Sequence, residues 1–302
     1  MILVTGSTGF IGQALIRQLT ESGYPMRLLI RPSPKSPNLP RGVAVEAAVS
    51  SLLDERSLRV ALVGVDTVIH LASAEMHGRR GSLLKVDIQG TQTLCRAAAH
   101  AGVRRIFMVS HLGADRASAY PLLKAKAIAE EYVRRSGIDY TILRSGIVFG
   151  KGDHFTTSLV RLARLLPFIF IVPGDGLTLL QPLWVEDLVT CLAWNLEKTD
   201  TLSQTISIGG PEFLPFNEIV QLVLAKIRLR RRLMHVSPAY LHYFTFFLEN
   251  LLPGTPTTSY WLDYLAANRT SSLDTITRIF SLLPSRFSHR LDHLLPEPRR
   301  GA

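Results

Sequence analysis

Two kinds of hydrophobic pattern alternate along the first half of the chain. Short continuous apolar runs are separated by stretches in which apolar positions recur every three or four residues. "ILVTG", residues 2–6, is the first run and ends on a glycine. Phe10, Ile11, Ala14, Leu15, Gln18 and Leu19 then repeat at helical spacing, with Gln18 the one polar member. "MRLLIRP", "TVIHLAS", "RRIFMVS" and "DYTILRSGIVFG" are further runs. Between them "GTQTLCRAAAHAG" reads as a helix stopped at Gly102. Runs without alternating polar positions are the mark of strands buried on both faces. Strands of that kind alternating with helices predict an α/β fold with a doubly wound, parallel Rossmann-type sheet and right-handed crossovers.

The organisation expected from this pattern is a first α/β domain over residues 1–170. A smaller C-terminal α/β substrate region, interwoven with it, would occupy 171–295, and 296–302 reads as a disordered tail. In that region "TISIGGPEFLPFNEIVQLVLAKI" reads as strand, Gly-Gly turn and helix, with Asn217 as the helix cap. Glu186 and Asp187 begin another helix, where negative charge suits the dipole, and are read as structural. Tyr240 to Leu252 is aromatic and aliphatic but too short to cross a bilayer. It fits a lid or core helix over a substrate pocket, or an interfacial helix assisted by nearby arginines. "RLARLLPFIFIVPG", residues 161–174, is a second apolar patch. Such surroundings favour a hydrophobic small molecule, lipid-like, quinone-like or isoprenoid, over a sugar.

Composition narrows the classes. At 302 residues, 47% hydrophobic and 19% charged, the chain can bury a sizeable core and is not a disordered protein. Its net charge of +10 is clustered, as at Arg228, Arg230, Arg231, Arg232, Arg299 and Arg300. That leaves a solvated basic face, or attraction to an anionic membrane or an acidic protein partner. No base-reading module is visible, so nucleic acid is not expected. Cys95 and Cys191 lie in apolar helical patterns without metal-ligand spacing, so both are expected as reduced core thiols and no metal site is expected. The sequence starts on a strand, with no charged region followed by an apolar export segment. A cytoplasmic protein is expected, with any peripheral contact at the inner membrane face.

"GSTGFIG" carries the chemistry of the N-terminal region. Gly6 permits the tight turn after the strand, Gly9 lets a pyrophosphate approach the backbone, and Gly12 lets the helix pack closely. The helix N-terminus offers free N–H groups and a positive dipole end to phosphates. Gly6, Ser7, Thr8, Gly9, Phe10, Ile11 and Gly12 are therefore candidate cofactor-binding residues. NAD-specific sites usually end the next strand on Asp or Glu for the ribose hydroxyls. Here the position holds Arg31, followed by Lys35, and a cation there favours a 2′-phosphate. NADP(H) is the expected cofactor, with NAD(H) the alternative. Leu71, Ala72 and Ser73, at the end of "TVIHLAS", would pass under it.

"TGSTGFIG", "GVDTVIHLAS", "AGVRRIFMVS", "SGIDYTILRSGIVFG" and "LQPLWVEDLV" together resemble the extended and atypical short-chain dehydrogenase/reductase superfamily. The last segment resembles the atypical group that includes NmrA-like proteins and the nucleotide-binding accessory subunit of respiratory complex I. The resemblance implies reductase, dehydrogenase or epimerase-type chemistry on a small molecule, or a catalytically degenerate accessory, sensor or assembly protein. It implies a Tyr as general acid/base, a Lys four residues later on the nicotinamide ribose, and a Ser at the preceding strand end. The family's adenine-contacting Asp falls on Ser51 here.

"SAYPLLKAK", residues 118–126, offers Tyr120 and Lys124 at the required spacing, with Ser110 upstream, as a candidate catalytic set. Counting back from Gly137, and placing the family's Glu on Glu130, instead puts the family lysine on Lys126 and the tyrosine position on Leu122. Two residues along a helix is roughly 200° of rotation, so Lys124 and Lys126 cannot both face a cofactor. Pro121 places the helix start near Ala119 to Pro121, leaving the direction of Tyr120 open. His111 is a further candidate acid, read as incidental.

Overall fold

The computed structural model describes residues 1–33, 42, 45–251 and 259–295. Lys35, Leu252 and the tail from 296 lie outside the described residues. The chain forms two compact units, Met1–Ser145 with Leu188–Ser207, and Gly146–Asp187 with Ile208–Ala302. Where the sequence pattern drew the first border at 170, the chain passes into the second unit after Ser145.

The first unit alternates strand and helix as the pattern predicts. In chain order it contains β1 (Ile2–Thr5), α1 (Phe10–Glu21), β2 (Met26–Ile30), β3 (Glu46–Val49), α2 (Glu55–Ala61) and β4 (Thr67–His70). A π-helical turn, Leu84–Gln89, then leads into α3 (Gly90–His100), followed by β5 (Arg105–His111), α4 (Pro121–Arg134) and β6 (Asp139–Ser145). With the strand Gln204–Ile208 these form one seven-stranded sheet in the order Gln204–Ile208, β6, β5, β4, β1, β2, β3. The pairings among β1 to β6 are all parallel. This is the doubly wound Rossmann arrangement. Chain order reverses between β1 and β4, which is where such sheets open a crevice at their carboxyl ends.

Burial explains the strand patterns. All four residues of β1 are buried, as are Val68, Ile69 and His70 of β4. Leu3, Val68, Leu94, Ile106, Met108, Val133 and Ile142 belong to one core cluster. Cys95 sits in it, and burial pushes its thiol up to about 12, which keeps it an inert core group. Cys191 is buried as well. Gly102, at φ +72°, closes the turn after α3.

The expected single strand over 139–150 is broken. β6 ends at Ser145 and a two-residue strand, Val148–Phe149, belongs to the second unit. Gly146 marks the break: its N–H bonds to Ile208 O, and a Cβ there would collide with Gln181 O.

The second unit is a set of short strand pairs around an aromatic core. Ile169–Pro173 pairs in parallel with Arg232–Val236. Phe149, Phe155, Phe216, Trp261 and Phe287 pack together, with Phe155 stacked on Trp261 at 5.1 Å between centroids. Asn217 does not cap its helix, which begins one residue earlier at Phe216. The Phe216 N–H bonds Thr178 O, so the helix grows directly from the strand Leu214–Pro215. The Asn217 side chain instead donates to Asp175 O at 2.9 Å. Asp187 has the structural role expected of it: its carboxylate accepts the Ser285 N–H at 2.7 Å, while burial raises it above the usual carboxylate range. No helix among the described residues is long and apolar enough to cross a membrane.

Candidate functional site

The carboxyl ends of β1 and β4 meet at backbone distance. A Cβ on Gly6 would sit 2.7 Å from Ala72 N and Leu71 C, and Gly6 holds φ +69°. Gly12 is packed against the same turn, where a Cβ would collide with Gly6 O and approach Ser7 Cα to 2.8 Å. Gly9 is different. It is exposed, precedes the first residue of α1, and a Cβ there would meet only Gly6 O, at 3.2 Å. Two glycines therefore build the turn and the third leaves its outer face open.

The first turn of α1 carries no side-chain cap. By contrast Asp54 caps α2, accepting from the N–H groups of Arg56 and Ser57 at 3.1 and 3.2 Å. Free amides, a positive dipole end and an open glycine face are what a phosphate group requires. Thr8 is exposed beside them and Ser7 is buried under the turn, while Phe10 and Ile11 are half-buried at the helix start. Arg31 is exposed directly after β2. Ser51 follows β3, and its hydroxyl accepts the Leu53 N–H at 3.2 Å. These residues fit a dinucleotide along the sheet edge.

Beneath the turn lies a buried polar floor. His70 ends β4, with Nδ1 2.7 Å from Thr5 Oγ1 and Nε2 2.9 Å from Thr91 Oγ1. Burial, and then the charge of Lys126, push its imidazole down to about 4. Asp87, from the π-helical turn, accepts from Ser73 Oγ at 2.7 Å and from Ala74 N at 2.9 Å. Its third partner is Lys126 Nζ, at 3.1 Å. Both charged side chains are nearly sealed from water, at 5% and 1% exposure, so each charge is held by the other. Leu71, Ala72 and Ser73 run across this floor with intermediate exposure.

The structure separates the two lysines. Lys126 is buried on the Asp87 side of α4, while Lys124 is exposed. Leu122, the residue in the family's tyrosine register, is buried at 3% exposure. Tyr120 stands just before the first turn of α4 at φ −86°, ψ 118°, half-buried, its N–H on Ser118 Oγ. Pro121 is the first helical residue, within the expected start. Tyr120 and Lys124 are thus not presented as a buried pair.

Ser110 does not reach the surface of the site. It is fully buried and its hydroxyl donates to Glu130 Oε1 at 2.7 Å. Glu130 also takes Arg144 through both oxygens, at 2.9 and 2.7 Å, and Arg134 at 2.6 Å. That hydrogen bonding raises Arg144 above its ordinary value, and the cluster is a structural knot joining α4, β5 and β6. His111 is half-buried with Nε2 2.8 Å from Glu75 Oε2.

Sequence reasoning missed His70, Asp87 and Thr91. The available signal was spacing: Asp87 and Thr91 are four apart on one helical face, and the Thr91 hydroxyl bonds Asp87 O at 2.6 Å. No group of three or more His, Cys, Asp or Glu side chains among the described residues is placed to hold a metal ion.

Comparisons with known proteins agree with this geometry. The sequence model of an NAD(P)H-binding family matches residues 6–161. The mitochondrial NADH dehydrogenase (ubiquinone) 1 alpha subcomplex subunit 9 of Arabidopsis thaliana is 28% identical over 231 residues, covering 74% of this chain and 57% of that protein. A ceramide reductase of Caulobacter vibrioides is 31% identical over 169 residues, covering 56% of this chain and 53% of that protein. The chain thus spans just over half the length of these relatives. An NADPH-dependent quinone oxidoreductase of Escherichia coli, solved with NADPH, has the same fold. Its TM-score is 0.77 at 19% identity, over 97% of this chain and 99% of that one. The chain belongs to the NAD(P)H-binding family and is an NAD(P)-binding protein of the atypical short-chain dehydrogenase/reductase type.

Proposed function

We propose that this chain binds NADP(H) as a tightly held structural nucleotide and serves as an accessory or assembly-type protein, with the superfamily's proton-transfer pair lost. One observation carries this reading: Lys126, not Lys124, is turned into the polar floor, and the residue four before it is the buried Leu122. Gly6, Gly9, Gly12 and the α1 amides would hold the pyrophosphate, Ser51 would lie at the adenine end, and Lys126 would face the nicotinamide ribose. A bound nicotinamide supplies hydride chemistry, but a carbonyl reduction also needs an acid. A positioned acid is typically worth ~10²–10⁴ in rate. Ser110 gives its proton to Glu130 and cannot orient a substrate oxygen at the same time. Subunit and assembly-factor names among the relatives support the accessory role.

Arg31 supports the choice of NADP(H), since an exposed guanidinium at the end of β2 pairs with a 2′-phosphate where an acid would repel it. NADPH should raise the melting temperature more than NADH does, and Arg31→Ala should remove the difference. Equal shifts, or a preference for NADH, reject that assignment.

A second reading, a reductase acting on a hydrophobic small molecule, is favoured by the position of Tyr120. It lies outside the helical spacing and is half-exposed, so its ring is not committed to the core. Multiple-turnover oxidation of NADPH with quinone and ketone substrates decides between the two. Turnover abolished by Tyr120→Phe would establish the enzyme and overturn the accessory reading.

A further inference from the structure

One strand pair of the second unit ends in an exposed tip. The helix Phe155–Leu165 stops, Leu166 turns to extended backbone, and the strand Ile169–Pro173 starts after Pro167 and Phe168. Phe168 is 80% exposed and Leu165 69% exposed. The segment 228–232 is stitched to this tip by two hydrogen bonds: Arg232 N donates to Phe168 O and Arg231 Nε to Ala163 O, both at 3.0 Å. Arg228 holds φ 57°, with its N–H on Ala225 O, and Leu229 N–H bonds Leu224 O, so the arginine segment leaves its helix through a fixed turn. Arg161, Arg164, Arg228, Arg230 and Arg232 are all exposed. Neither 155–173 nor 227–236 contains an acidic residue.

From this we infer that the Leu165–Phe168 tip is a docking surface for an anionic lipid membrane. Two exposed apolar side chains on a segment flanked by exposed arginines match a layered partner, anionic at its surface and hydrocarbon just below. A nucleic acid would satisfy the arginines and leave Leu165 and Phe168 in water, and a protein would need an apolar pocket matched to both side chains within a rim of carboxylates, whereas an anionic lipid surface takes both without a preformed site. The guanidiniums bind lipid phosphates while Phe168 and Leu165 enter the acyl boundary. This role needs neither the bound nucleotide nor turnover.

Co-sedimentation of the full chain with phosphatidylcholine vesicles, with and without phosphatidylglycerol, tests the inference. Binding should require the anionic lipid and weaken with added salt. Each arginine replaced by Ala at 228, 230 or 232 should weaken it about fivefold. The pair Leu165→Ser and Phe168→Ser should weaken it at least about tenfold, with circular dichroism and the NADPH melting shift unchanged. Equal binding to neutral vesicles, or no binding, overturns the inference. So does affinity for heparin without affinity for vesicles. A loss of vesicle binding on Tyr243→Ser that the tip variants do not share would place the contact elsewhere and likewise refute it.

Discussion

Acidification reads out the buried floor beneath the glycine turn, and His70 sets the magnitude. Bond directions fix its tautomer. Thr91 gives its hydroxyl proton to Asp87 O, so it can only accept from His70, and Nε2 carries the hydrogen. The Leu71 and Ala72 N–H groups point at Thr5 Oγ1, at 3.3 and 3.4 Å, so the Thr5 proton goes to Nδ1. A second proton on the ring would be sealed from water and would lie close to the charge of Lys126. These are the reasons the folded imidazole titrates at about 4 rather than at its ordinary value of 6.5. Between those limits the unfolded chain binds a proton that the folded chain refuses, so stability falls with pH. The stability present in full above about pH 6.5 is lost down to about pH 4, a total of about 3 kcal/mol at ~1.4 kcal/mol per unit. Urea unfolding of the wild type and of His70→Asn between about pH 7 and about pH 4.5 isolates the term, since other carboxylates contribute to both curves. The variant should start about 1–3 kcal/mol lower, because Thr5 and Thr91 lose their partner, and the two curves should converge as pH falls. A constant gap across that range would refute the account of a neutral, sealed His70.

The remaining predictions concern the lysines and the glycines. Lys126→Met should cost about 3–5 kcal/mol by leaving the Asp87 carboxylate buried and unpaired, whereas Lys124→Met, at an exposed position, should stay within about 0.5 kcal/mol; equal effects in thermal unfolding would reject the assignment of faces. Gly12→Ala should unfold or grossly destabilise the first unit, because its Cβ has backbone in its way, at a cost of about 3 kcal/mol or more. Gly9→Ala should fold normally and lose the NADPH melting shift; a Gly9 variant with an intact shift would remove the phosphate from that face. Leu122→Tyr places a hydroxyl four residues before Lys126, and should raise NADPH-dependent carbonyl reduction about 10²-fold if only the acid is missing. No gain in a folded variant that still binds NADPH would show that the site lacks more than its acid.

Local chemistry was legible in the sequence where it depends on neighbours along the chain. The glycine turn, the uncapped helix behind it, the parallel strands and the stop at Gly102 follow from patterns within some 20 residues, and the structure contains them. The break at Gly146 was hidden because "DYTILRSGIVFG" carries apolar residues on both sides of that glycine, and only the approach of Gln181 and Ile208 divides it. Asn217 looked like a cap because its residue type favours that position, yet the Phe216 N–H already had Thr178 O as a partner across the strand pair. The polar floor was hidden for the same kind of reason. Thr5, His70, Asp87 and Lys126 come from four separate segments, and no window along the chain contains their bonds.

Leu122, Lys126, Ala129, Glu130 and Val133 form the buried stripe of α4, at offsets of 0, 4, 7, 8 and 11 that a helix places on one side. Two of the five are charged, and burying them is tolerable only with partners on facing elements. Asp87 meets Lys126 from one direction, and Arg144 with Ser110 meets Glu130 from another. Rotating α4 by the roughly 200° that would bring Lys124 inward would strand both clusters at once. Glu130, which served in the sequence only to count residues, is thus one of the two groups that hold the helix in that orientation. Tyr120 lies six residues before Lys126, roughly 240° around a helix that has not yet begun at that point. Lys124 therefore lies on the outer face of α4 and Tyr120 ahead of the helix, so their literal four-residue spacing does not make a pair on its buried face.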